Sequence, residues 1–195
     1  MSLAQHLPAL QVVLPLISAP LAVLLRRGSV AFALVTAAAW TSFAIAIALW
    51  WQVDASGVIS YHIGSWEPPW GIEYRVDRLS SFMLVLISGM AAVVLPYARA
   101  SIEREISAES HYLFYAMLGL CFTGLLGITI TGDAFNLFVF LEISSLSTYV
   151  LIALGRDRRA LTASYQYLIM GSIGATFIVI GIGFLYLMTG TLNLA

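Results

Sequence analysis

Apolar residues fall into six long runs, each closed by a short polar or charged interruption. Read as helices, the runs cover 7–25, 30–51, 79–95, 112–130, 132–154 and 162–188. About twenty apolar residues suffice to cross the hydrocarbon core of a bilayer. Pro8 suits the first turn of the first helix, while Pro15 and Pro20 fall inside it and predict a bent helix packed on neighbours. Arg26, Arg27 and Gly28 end it, Trp50 and Trp51 close the second helix at an interface, and Pro96 reads as the stop of the third. In the fourth, Gly119, Thr123 and Gly127 recur every four residues and predict one close-packing face. In the sixth, Gly171 and Ala175 share a packing face.

The longest polar connection, 53–77, carries a different period. Residues 58–63 and 72–76 alternate as strands do, around Trp66-Glu67-Pro68-Pro69-Trp70-Gly71. This predicts a short β-hairpin on the membrane surface, with Trp66 and Trp70 at headgroup level. By contrast, Arg99 to Ser110 is mixed in sign and reads as a solvated or interfacial loop. The fold class is therefore an all-α polytopic membrane protein of six spans. One extracytoplasmic hairpin lies between the second and third, and residues 1–195 form a single transmembrane domain.

Charge orients the bundle. Alternate loops carry Arg26 and Arg27, then Arg99 and Arg104, then Arg156, Arg158 and Arg159; the opposite side holds Arg75 and Arg78. The positive-inside rule places the Arg-rich loops in the cytoplasm of a plasma (inner) membrane, with both ends of the chain and the hairpin outside. No Lys or Arg precedes the first apolar run, which argues against a secretory signal.

Composition agrees. The chain is 61% hydrophobic and 10% charged, against about 25% charged in a soluble domain. A net charge of −1 gives no sign of a nucleic-acid partner. The single cysteine, Cys121, lies in an apolar run and reads as a small packing residue. No phosphate loop, paired His at metal spacing or nucleophile with a base beside it is present. His6, His62 and His111 lie at surfaces or helix ends. No metal or cofactor is expected, and no reactive pair points to an enzyme.

The fifth run, GDAFNLFVFLEISSLSTYVLIAL, is the exception to this blandness. Glu142 sits near its middle, where an ionisable side chain costs about 3 kcal/mol or more to insert. Ser145 and Tyr149, three and seven residues on, share its helix face. The stripe should face protein or water and not lipid. One reading is a neutral Glu that glues two helices together. The other, which intramembrane acids favour, is a carrier on a proton or cation path. Asp133, at the outer mouth of the same helix, is a secondary candidate, although an acid there is also an ordinary cap.

The text TGDAFNLFVFLEISSLSTYVLIA resembles the fifth helix of the antiporter-like subunits. These are the D-type subunits of Mrp-type multisubunit cation/proton antiporters and related subunits of respiratory complex I and membrane-bound hydrogenases. GSWEPPWGIEYRVDRLSSFML resembles the segment leading into their third helix, and the FNLFVFLE wording leans towards the Mrp branch. The resemblance covers essentially the whole chain and implies the N-terminal portion of such a subunit. It implies that Glu142 is the family's fifth-helix glutamate, working with a lysine on a later, broken helix beyond residue 195. Protons and a monovalent cation, Na⁺ or K⁺, would be the transported species, and other subunits of a membrane complex the partners. A redox-driven proton-pumping subunit, or a structural subunit with no ion path, stands as the alternative.

Overall fold

The computed structural model describes residues 3–66 and 70–194. Six long helices follow one another: α1 (Leu7–Leu25), α2 (Gly28–Ser56), α3 (Arg78–Glu105), α4 (His111–Ile130), α5 (Ala134–Ala153) and α6 (Arg158–Thr189). Each is long and apolar enough to cross a membrane. Two strands, β1 (Ile59–His62) and β2 (Glu73–Val76), lie between α2 and α3. They form the expected antiparallel hairpin, pairing Ile59 with Val76 and His62 with Glu73. The Glu67-Pro68-Pro69 turn lies outside the described residues.

Local chemistry sets the helix ends. Pro8 sits in the first turn of α1, where its missing N–H is harmless. The Asp77 carboxylate accepts from the Ser80 N–H and hydroxyl, both at 2.7 Å, and starts α3. Asp157 does the same for α6 through the Arg159 N–H. Gly57 and Gly190, at φ 84° and 71°, stop α2 and α6 in conformations that suit glycine.

Three expected boundaries move. α2 runs past Trp51 to Ser56, because its stop signal is Gly57 and not the tryptophan pair. α3 does not stop at Pro96 but continues to Glu105, so most of the expected 99–110 loop is helix. Proline removes only the one hydrogen bond to the Ala92 carbonyl, and the packing around the buried Ala92 retains the helix. Beyond Pro96 the chain favours helix. Arg99 Nε pairs with Glu103 Oε1 at 3.0 Å, one turn on, and its guanidinium lies 4.8 Å over the Phe32 ring. α6 likewise begins at Arg158, immediately after its cap.

The core lies where α1, α2, α3 and α4 meet. Small residues bring the backbones together: Ala22, Ala31, Ala39, Ala46 and Ala116 are fully buried there, with Leu49, Leu84, Leu126 and Ile130. The Gly119–Thr123–Gly127 series does not form one face. Gly119 meets Ser18, Ala19 and Val35 of α1 and α2, whereas Gly127 lies against the Phe140 ring of α5. A four-residue repeat drifts about 40° per step on a helix of 3.6 residues per turn, enough to pass from one neighbour to the next. α6 packs on α5, and Ala175 is its only buried residue.

The hairpin end is stitched more tightly than the sequence suggested. Gly132 N–H donates to the Glu73 carbonyl at 2.8 Å, and Thr131 bridges to Tyr74. The segment after α6 joins in: Ala134 N–H donates to Leu192 O and Leu194 N–H to Gly132 O, both at 2.8 Å. β1, β2, the α4–α5 turn and this tail thus form one small sheet-like cap. The buried Glu73 carboxylate sits within it, accepting from Ser60 Oγ at 2.6 Å and from Asn193 Nδ2 at 2.9 Å. At the opposite end Arg156 Nη2 donates to Ile106 O at 3.0 Å, tying the α5–α6 loop to the α3–α4 loop.

Candidate functional site

α5 begins at a polar knot. Asp133 Oδ1 accepts from Asn136 N–H at 2.7 Å, and Thr131 Oγ1 accepts from Asn136 Nδ2 at 2.9 Å and from Asp133 N–H at 3.3 Å. The Asp133 carboxylate therefore serves as the helix cap, the ordinary role for an acid at that position. It is nine residues from Glu142, about 13 Å along the axis, so the two acids do not share a site.

Around this knot the cap tunes two titrating groups. The Ser60 hydroxyl, helped by Asn193, His62 and Arg75, holds the Glu73 carboxyl below the usual range against the opposing effect of burial. Burial pushes the Tyr74 hydroxyl up, opposed by a hydrogen bond with Asn136.

Along α5 the side chains divide between two neighbours. Phe140, Ser144 and Thr148, four residues apart, face α4. A Cβ at Gly127 would strike the Phe140 ring, and one at Gly124 would lie 2.7 Å from the Phe140 carbonyl and from Ser144. Cys121 Sγ of α4 lies 3.6 Å from Ser144 Oγ and 3.5 Å from Thr148 Oγ1. Cys121 thus packs at this seam, as expected, but meets hydroxyls as well as apolar atoms. Its Ser144 and Thr148 partners were legible only as polar residues following Glu142; their i, i+4 spacing was the signal that they share a helix contact.

Glu142 is two residues on from Phe140, about 200° around the helix, and so lies away from α4. Tyr149, a further seven residues on, returns to nearly the same angle and faces α6. It is buried, its carbonyl accepts from Ser164 Oγ at 2.7 Å, and its ring stands edge-on to Tyr167 at 5.3 Å. Its hydroxyl occupies the space that a Cβ at Gly171 would need, so Gly171 and Ala175 do form the packing face of α6. Ser145 lies one turn from Glu142 towards Tyr149. The three residues form a stripe along one side of α5, although Tyr149 and Glu142 are about 10 Å apart along the axis.

Glu142 itself is the ninth of the 20 residues of α5 and is half-buried. Among the described residues its carboxylate has no hydrogen-bond or ion-pair partner. Ser145 makes no side-chain hydrogen bond there either, whereas Ser147 and Thr148 donate to carbonyls of their own helix.

Six helices of bilayer-spanning length with a two-stranded hairpin between the second and third define a polytopic membrane protein. Residues 131–195 match the family described as NADH:quinone oxidoreductase/Mrp antiporter, TM. The N-type subunit of NADH-quinone oxidoreductase from Desulforudis audaxviator is 44% identical, over 97% of this chain and 38% of the relative. The D-type subunit of the Na(+)/H(+) antiporter of Bacillus subtilis is 31% identical, over 95% of this chain and 37% of the relative. Among solved structures, the Mrp complex from Dietzia superposes with a TM-score of 0.87 at 27% identity, over 99% of this chain and 36% of that one. The membrane-bound sulfane sulfur reductase, an archaeal respiratory membrane complex, gives 0.86 at 29% identity, over 96% and 38%. Over nearly its whole length the chain is thus similar to the N-terminal portion of a larger antiporter-like membrane subunit. It spans less than two fifths of the length of the relatives it matches.

Proposed function

We propose that the chain is the N-terminal part of a membrane subunit that exchanges protons for a monovalent cation, with Glu142 as a titrating residue of the path. The observation that carries this reading is the half-buried, mid-span Glu142 carboxylate without a partner among the described residues. A carboxyl that alternates between neutral and ionised forms is what a proton relay needs. Ser145 and Tyr149 continue the polar stripe, and Asp133 contributes by fixing the start of α5. Residues 1–195 would form one transmembrane domain, with the Arg-rich loops in the cytoplasm and both ends of the chain outside the plasma membrane. Relatives named as components of an Na(+)/H(+) antiporter and of a probable K(+)/H(+) antiporter, the latter from Rhizobium meliloti at 36% identity, support Na⁺ or K⁺ as the cation. Other subunits of a membrane complex would be the partners.

The test is Glu142→Gln in the complete complex, reconstituted in vesicles. It keeps size and hydrogen bonding and removes titration. Cation-driven proton movement should be abolished or strongly reduced while assembly is intact, and Glu142→Asp should retain part of it. Parent-like transport by an assembled Glu142→Gln variant would instead establish a structural role.

A second reading follows from the 44% identity to an NADH-quinone oxidoreductase subunit. Proton movement would then be driven by quinone reduction and not by a cation gradient. Vesicles given either drive separately distinguish the two.

A further inference from the structure

Gln11 is fully buried in α1, and neither its Oε1 nor its Nε2 has a hydrogen-bond partner among the described residues. Ser42 Oγ, on α2, is in the same condition, and Ser42 is also fully buried. Buried amides and hydroxyls are paired with few exceptions, so two such groups require an account. Neither belongs to the stripe on α5.

Helix geometry brings them to one level. Ser18, Val35 and Gly119 meet where α1, α2 and α4 touch. α1 runs away from the hairpin end, while α2 and α4 run towards it. Seven residues towards that end, two turns or about 10 Å, lead from Ser18 to Gln11, from Val35 to Ser42 and from Gly119 to Leu126. A seven-residue step keeps each side chain on nearly the same face. Gln11 and Ser42 therefore enter the same three-helix junction.

A further polar group joins them. In a regular helix the Gln11 carbonyl would accept from the N–H of residue 15, which is Pro15 and has none. Gln11 thus brings an amide donor, an amide acceptor and a main-chain carbonyl that Pro15 deprives of its regular helical donor. Ser42 brings a hydroxyl that both donates and accepts.

The occupant must be small and neutral. With Gln11 and Ser42 at 0% exposure, no side chain from another subunit reaches them. An unhydrated cation would lack a counter-charge: α1 and α4 contain no acid, and the one acid of α2, Asp54, is twelve residues from Ser42. Water supplies two donors and two acceptors, and buried water typically makes about three hydrogen bonds to such groups. We propose that the α1–α2–α4 junction is a water-binding site in which buried water bridges the Gln11 side-chain amide, the Gln11 carbonyl and the Ser42 hydroxyl. The water completes the hydrogen bonding of a proline-interrupted helix where a close-packed apolar core would otherwise bury it unpaired.

The test is infrared difference spectroscopy of the assembled complex exchanged from ordinary water into H₂¹⁸O. Parent-minus-variant spectra for Ser42→Ala and Gln11→Leu isolate the site from other internal waters. Both differences should contain an O–H stretching band that shifts with ¹⁸O. Ser42→Ala removes one atom and is the control should Gln11→Leu fail to fold. Absence of a ¹⁸O-sensitive band from the Ser42→Ala difference overturns the proposal. So does a high-resolution map of the complex in which Gln11 and Ser42 bond directly with no density between them.

Discussion

Replacing Gly124 by Ala should loosen the α4–α5 seam, whereas replacing Gly174 by Ala should not. A Cβ at Gly124 would lie 2.7 Å from the Phe140 carbonyl oxygen and from the backbone N and Cβ of Ser144. Ordinary contact begins at 3.4 Å, so α5 must retreat by about 0.7 Å. Two of the three atoms are backbone, and no rotamer change relieves them. Overpacking of this kind costs about 1–3 kcal/mol. The helix-propensity gain of Gly to Ala offsets about 0.5–1 kcal/mol. Taking mid-range values, the net loss should be about 1 kcal/mol, or roughly five-fold in the folded-to-unfolded ratio. At Gly174 nothing lies within 4 Å of the added methyl, and only the propensity gain remains. Titration of the purified chain from mild detergent into dodecyl sulfate, followed by circular dichroism, reads both variants. An unchanged midpoint for Gly124→Ala, or an equal loss in Gly174→Ala, would refute the seam geometry that fixes the rotation of α5.

Other measurements address orientation, the cap and the stitched sheet. A reporter fused after Gly57 should read extracytoplasmic and one after Arg158 cytoplasmic; reversed labels at both sites would sink the orientation. Asp133→Ala should cost about 1 kcal/mol in the same unfolding assay through loss of the cap, while Asp133→Asn, which still caps, should cost little. Equal losses would show that charge, not capping, matters there. The Glu73 carboxyl is held below its ordinary range when folded, so its contribution to stability is present above the unfolded pKa and is lost as pH falls through the folded one. Amide exchange at Leu194 should therefore accelerate on acidification below the ordinary carboxylate range. Glu73→Gln should flatten that dependence, and a parent-like pH profile in the variant would assign it to another group.

Six helices and a hairpin were readable because bilayer-length apolar runs and a strand-like alternation around Pro68 and Pro69 are local signals. Which face of each helix is buried was not. α2, α4 and α5 are apolar nearly all round, so periodicity gives no direction, and only small residues mark contacts. That marker worked for Gly171, which lies under Tyr149, but it misassigned the Gly119–Gly127 series and passed over Gly124. The run of α3 through Pro96 was hidden because proline's local cost is overridden by tertiary packing around Ala92. The pairing of 131–134 with 192–194 joins segments about sixty residues apart, too short to show a period of their own. Glu142 was conspicuous from charge alone, and its stripe with Ser145 and Tyr149 followed from helical spacing. That Tyr149 turns against α6 while Ser144 turns against α4 needed the three-dimensional arrangement.

The stitch between the α4–α5 turn and the tail after α6 limits how the last two helices can move. α5 and α6 are joined covalently at one end through residues 154–157 and by main-chain hydrogen bonds at the other, Ala134 to Leu192 and Leu194 to Gly132. The pair is a closed loop. Sliding one helix along the other, or swinging one away, must first break those bonds. Rotation of both helices together breaks neither. Any displacement of α5 is thereby channelled into a rigid-body movement of the two-helix paddle, with α4 as the surface it turns against.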